Sequence, residues 1–192
     1  MSAINYYSRR VRIEAPKLAI LFNKLDCLAL PRNNSSCSTT ITTRRGWNDA
    51  GLLVPGYQPK YLLRMSGVQN FLRFAFDLGI KPAHVLMGIA LHEVRHNVQF
   101  CEGLDSVVHA SELENLSPLF YEQVKARTPL NMYPFTLWVK EFDAYARQLC
   151  FLFLCHSGEV ECNIETAKEF IVLPADELAK YFETCESILA KM

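Results

Sequence analysis

Charge of one sign is what this chain most plainly lacks. Its 192 residues carry 20 Lys plus Arg and 20 Asp plus Glu, a formal net charge of zero. No basic stripe gathers along it, so there is no electrostatic case for a nucleic-acid partner. The pairs Arg9-Arg10 and Arg44-Arg45 read as solvated surface. Long apolar runs are missing too. Leu149 to Cys155 falls far short of the roughly 20 residues a membrane span needs, so no membrane partner is expected. The segment Met1 to Arg10 has no charged-then-apolar order of a cleaved leader. The chain therefore reads as cytoplasmic, although leaderless export as an effector or toxin would leave no mark in such a sequence.

CxxC spacing is also absent. The cysteines are Cys27, Cys37, Cys101, Cys150, Cys155, Cys162 and Cys185, an odd number at irregular intervals, so they cannot all pair within one chain. Cys101, Cys150 and Cys155 stand in apolar surroundings, where a free thiol behaves as a small hydrophobe. This usage points to a reducing compartment.

What the chain does have is ample apolar material, at 50% of residues, enough for the core of one domain over 1–192. Short strand candidates lie in the Thr-rich run to Thr43, at Leu52 to Val54 and at Tyr61 to Met65, with a turn at Gly46 to Asp49. A helix over about 16–27 precedes them. From Val68 onward helical spacing takes over, with Gly79 and Pro82 as punctuation. Leu119 to Ala126, Phe135 to Leu154 and a last amphipathic stretch from Pro174 to Leu189 continue it, while 106–117 is ambiguous. The expected class is α+β: a sheet-containing part over 1–66, then a mainly helical part over 67–192.

Chemistry concentrates at His92-Glu93-Val94-Arg95-His96, an HExxH sequence in the apolar-rich run Met87 to Gln99. On a helix, positions 92 and 96 lie one turn apart on one face. Two imidazoles so placed can grip a zinc ion, with Glu93 as general base. Without metal, the same residues would be surface or cap groups of an ordinary helix. A catalytic zinc site needs about three protein ligands and a position left for water. The acids of Trp138 to Gln148 sit in an otherwise apolar-rich segment, and a buried carboxylate is costly unless paired or bound to metal. Glu141 is the favoured third ligand, and His109, Glu112 and Glu114 are rivals. Asp143 points away from Glu141 and is placed to pair with Arg147 at i+4, or to orient His92 or His96.

The two motifs resemble the gluzincin type of zincin metallopeptidase. In that family two histidines on one helix and a glutamate on a later helix bind zinc. The runs His-Glu-x-x-His-x-x-Gln at 92–99 and Glu-x-x-Ala-Tyr-x-x-Gln at 141–148 look more narrowly like small bacterial or phage-type zincins. The resemblance covers roughly residues 85–100 and 135–150. It implies a zincin-like fold, His92, His96 and Glu141 as metal ligands, Glu93 as catalytic base and Zn2+ as cofactor. The chain departs from the metzincin pattern, with Glu102 where a third histidine would stand.

Around that core, Gln99 is placed to hydrogen-bond a ligand, the substrate backbone or a local backbone group. Arg95 is expected to pair with Glu102 or Asp105, or to hold a substrate carboxylate. Tyr145 is the first choice for a donor to the oxyanion, followed by His109 and Tyr133. His84 and His156 read as ordinary polar groups and Cys101 as a buried thiol. The expected function is a zinc-dependent hydrolase, a metalloendopeptidase acting on a protein or peptide substrate. The alternatives are an amidase with a non-protein substrate and an inactive zincin-like protein in which zinc only holds helices together. Oligomeric state is left open.

Overall fold

A computed structural model describes residues 20–30, 38–42, 51–54, 60–64, 68, 71, 73, 76–103, 107–132 and 134–192. The turn expected at Gly46 to Asp49, the first residues of the helix expected from 16, and Tyr133 and Asp105 lie outside them. Helix α1 covers residues 20–29. Three short strands follow, β1 (Ser38–Thr42), β2 (Gly51–Val54) and β3 (Lys60–Arg64). Helices α2 (Pro82–Glu102), α3 (Ala110–Leu116), α4 (Pro118–Lys125), α5 (Phe135–Ser157), α6 (Ile164–Val172), α7 (Ala175–Ala179) and α8 (Phe182–Leu189) make up most of the rest. Helical residues also occur at 68, 71, 73 and 76–77.

The expected α+β class is corrected: the described residues form a predominantly helical fold. The physical reason lies in where length and apolar surface are invested. Helices α2 and α5 run 21 and 23 residues, whereas the strands have four or five each. The strands order as β1-β3-β2, with β3 parallel to β1 and antiparallel to β2. They make a narrow ribbon whose β2 borders α2, not a sheet on which the helices are built.

Helix α2 starts where Pro82 supplies a preset φ at its first turn. It ends at Gly103, whose φ of 85° few other residues adopt. Val85, Ile89, Ala90, Leu91, Val94 and Val98 are all buried, so most of its circumference faces protein. Helix α5 begins after Pro134 and stops at Gly158, which takes the left-handed conformation while its N–H bonds the Leu154 carbonyl. Every residue from Ala146 to Cys155 is buried. A helix buried on every side over that stretch belongs at the centre of a core, and α5 accordingly touches α2, α4, α6 and α8. Burying a side chain such as Phe151 or Leu152 contributes about 1.5–3 kcal/mol. The α2–α5 approach is close at Gly88, where a Cβ would come within 3.1 Å of the Leu152 side chain.

Helix α6 is an addition to the elements expected, although its start carries a signal. The Asn163 side chain accepts from the Thr166 N–H at 2.9 Å, an N-cap. The stretch expected to run from Pro174 to Leu189 is instead two helices, α7 and α8, broken at Lys180 and Tyr181. Within the ambiguous 106–117 stretch, α3 takes Ala110–Leu116 and ends at Ser117. Towards the N-terminus, Phe22 stacks on Tyr61 at 4.7 Å between ring centroids. The Tyr61 hydroxyl donates to buried Asp26 at 2.6 Å, and Asn97 of α2 donates to the same carboxylate. Asp26 thus ties α1 and β3 to the helix that carries the HExxH sequence.

Candidate metal centre

Helices α2 and α5 run antiparallel across the site. His92 meets Tyr145, His96 meets Glu141, and Gln99 meets Lys140. The α2 register puts His92 and His96 on the face turned to α5, and Glu141 answers from α5. Their ligand atoms converge. Nε2 of His92 lies 3.1 Å from Nε2 of His96. Glu141 places Oε2 at 3.4 Å from His92 and Oε1 at 3.3 Å from His96. One ligand atom from each residue falls within 4.8 Å of the others, a grouping that among the described residues no other set of three metal-ligating side chains forms.

That spacing fits a cation. Ligands about 2.0–2.1 Å from a tetrahedral zinc stand about 3.3 Å apart. Two imidazole nitrogens facing each other at 3.1 Å also demand a proton or a cation between their lone pairs. In the metal-free protein the proton has a source. Burial works against a charged His96, but the charge and hydrogen bond of Glu141 outweigh it and raise the imidazole pKa to about 9. Burial likewise opposes the Glu141 carboxylate, yet His96 and His92 hold it well below the usual carboxylate range. Both shifts favour a protonated His96 beside a charged Glu141 when no cation lies between them. The His96 and Glu141 side chains keep 15% and 17% of their surface exposed, so one side stays open to solvent.

Asp143 sits behind this cluster, fully buried. It receives Arg95 Nε at 2.6 Å, Arg147 Nε at 2.9 Å, Gln99 Nε2 at 2.8 Å and the Val108 N–H at 3.0 Å. Its carboxyl is held low by both guanidiniums in spite of burial. The arginines also reach the C-terminal end of α6. Arg95 donates to the Ile171 carbonyl, and Arg147 donates to those of Phe170 and Leu173. Unsatisfied carbonyls at a helix end carry partial negative charge and suit cations. The i+4 pairing of Asp143 with Arg147 is as expected. Arg95 turns inward to Asp143, on the 92–99 face that packs on α5; of its expected partners, Asp105 and the Glu102 side chain lie outside the described residues.

Compared with protein-family models, curated proteins and solved structures, the chain gave no match. The arrangement of His92, His96 and Glu141 nevertheless matches the gluzincin pattern of two histidines on one helix and a glutamate on a later one.

Other expected residues divide. Glu93 is buried beside the cluster, and its charge acts on His96. Tyr145 packs its ring against His92, 4.3 Å between centroids. Gln99 bonds His96 and so joins the site. The rivals His109, Glu112 and Glu114 are exposed on and before α3 and are not brought in. Cys101 is exposed, correcting its expected burial: it lies in the last turn of α2, beyond the stretch that α5 covers. His156 is exposed, whereas His84 is partly buried and its pKa is lowered by that burial. Arg127, which the sequence did not single out, has its pKa lowered by burial and lies near the Tyr145 phenol. Among the described residues no helix is long and apolar enough to cross a membrane.

Proposed function

We propose that this chain is a zinc-dependent hydrolase of the gluzincin type, acting as a metalloendopeptidase on a protein or peptide. The observation that carries the reading is the convergence of His92 Nε2, His96 Nε2 and a Glu141 oxygen at separations of 3.1–3.4 Å. His92, His96 and Glu141 would hold the ion. When bound, zinc supplies a Lewis acid that polarises a scissile carbonyl and makes water more acidic at neutral pH.

The chain's own groups do the rest. Glu93 takes a proton from the attacking water as its oxygen bonds to the carbonyl carbon. It then returns that proton to the amide nitrogen as the C–N bond breaks, so the products are a carboxylic acid and an amine. In this reading Tyr145, whose ring packs against His92, donates a hydrogen bond to the oxyanion. Burial of the cluster on its core side keeps bulk water from competing for these groups.

The direct test is Glu93→Gln, assayed for zinc content and for cleavage of a mixed peptide library read by mass spectrometry. The reading expects zinc retained and cleavage reduced by about 10²–10⁴-fold, the usual contribution of a positioned general base. A variant with wild-type turnover and wild-type zinc would show that Glu93 is not the base.

A further inference from the structure

The two imidazoles are not held alike. His96 Nδ1 lies 2.9 Å from Gln99 Oε1. The buried Nδ1 of His92 has no hydrogen-bond partner among the described residues. The orientation of the Gln99 amide follows from its other end. Nε2 faces two acceptors, Asp143 Oδ2 at 2.8 Å and the Lys140 carbonyl at 3.0 Å. Neither can donate, because Asp143 is a carboxylate between two guanidiniums. The amide nitrogen must therefore point to α5, and the amide oxygen must point to His96. An amide oxygen only accepts, so His96 Nδ1 must carry its hydrogen.

We propose that Gln99 is a positioning residue for His96. Through it, Asp143 fixes the imidazole with Nδ1 protonated and the Nε2 lone pair aimed at the point where His92 and Glu141 converge. The inference rests on the metal reading above and adds to it which ligand is anchored. His96 is locked to α5 by a chain of three side chains ending in a buried ion-pair cluster. His92 is held by packing against Tyr145 and by its helix. Loss of such outer hydrogen bonds ordinarily weakens metal affinity about 10–100-fold.

Gln99→Met keeps the length and bulk of the side chain and removes all three hydrogen bonds. Zinc affinity is read by chelator competition on the full chain, and metal-free unfolding is measured separately in excess chelator. The expectation is a roughly 10–100-fold weaker zinc affinity in Gln99→Met, with little change in the metal-free unfolding midpoint. Wild-type affinity in Gln99→Met overturns the relay while leaving the metal site standing. Nitrogen NMR of zinc-loaded wild type needs no variant. It should show His96 with Nδ1 protonated and Nε2 coordinated, and coordination through Nδ1 overturns the proposal. A wild-type chain that takes up no zinc overturns both readings.

Discussion

Replacing Asp143 by alanine should be among the most damaging single changes in this protein, whether or not metal is bound. The carboxylate accepts from Arg95, Arg147, Gln99 and the Val108 N–H. Both guanidiniums are essentially sealed from solvent, at 1% and 0% exposure. These three side chains sum to one positive charge, set against the carbonyl-bearing end of α6. Without Asp143 the two buried guanidiniums lose the carboxylate that lies between them. Removing one partner of a buried ion pair costs about 3–5 kcal/mol, since the remaining charge is left uncompensated. The bonds to Ile171, Phe170 and Leu173 survive the substitution, so the two arginines do not double that figure. About 3–5 kcal/mol is a large share of the roughly 5–15 kcal/mol that holds a domain together. For a chain of this size it corresponds to a drop in Tm of about 6–20 °C. The assay is urea and thermal unfolding of Asp143→Ala against wild type in excess chelator, which takes metal out of the comparison. Replacing all three side chains with apolar ones (Arg95→Met, Asp143→Leu, Arg147→Met) should recover much of the loss, because no buried charge then remains. A cost below about 1 kcal/mol for Asp143→Ala would refute the view that this cluster is a buried, mutually dependent unit.

Other consequences are as direct. In the metal-free protein the raised His96 pKa contributes stability that is complete below its ordinary 6.5 and is lost as pH climbs through about 9. The lowered Glu141 pKa contributes stability that is complete above its ordinary 4.5 and is lost as pH falls below it. Their joint contribution should thus peak between those two ordinary values, and a chelated protein whose stability rises steadily to pH 9 would contradict the pairing. Zinc must displace the His96 proton, so its affinity should increase as pH rises toward 9, with proton release visible by calorimetry in buffers of different ionisation enthalpy. Gly88→Val should wedge α2 from α5 against Leu152, one turn before His92, costing about 1–3 kcal/mol and weakening zinc binding. Urea midpoints and chelator competition would show this, and an unchanged midpoint would mean the helices are not in close contact there. Tyr145→Phe should lower kcat with little effect on zinc content if the hydroxyl serves the oxyanion, whereas equal loss of zinc would assign it to the fold.

How legible all this was in the sequence depended on the range of the signal. His92, His96 and Glu141 were readable because helical periodicity fixes which residues share a face, and imidazoles at i and i+4 need little else to be noticed. Gln99 was readable for the same reason, since it follows His96 by three. The direction of its amide was not, because that depends on Asp143 in another helix. The inward pairing of Arg95 was hidden by the same limit, since Asp143 lies 48 residues on. Helix α6 had a local N-cap at Asn163 that could have announced it. Its role in receiving two buried arginines is a tertiary fact. The strands were placed near their actual positions, but their weight in the fold was overestimated. Pattern shows that a segment can pair and does not show how little of the core rests on it.

The central claim is that His92, His96 and Glu141 form a zinc site, and elemental analysis tests it most directly. Wild type and Glu141→Ala would be purified without added zinc, then measured again after one equivalent of zinc and gel filtration. The account predicts about one zinc per wild-type chain and little or none in Glu141→Ala, with the variant still folded in chelator. A folded wild type that takes up no zinc, or a Glu141→Ala chain that retains a full equivalent, would contradict it.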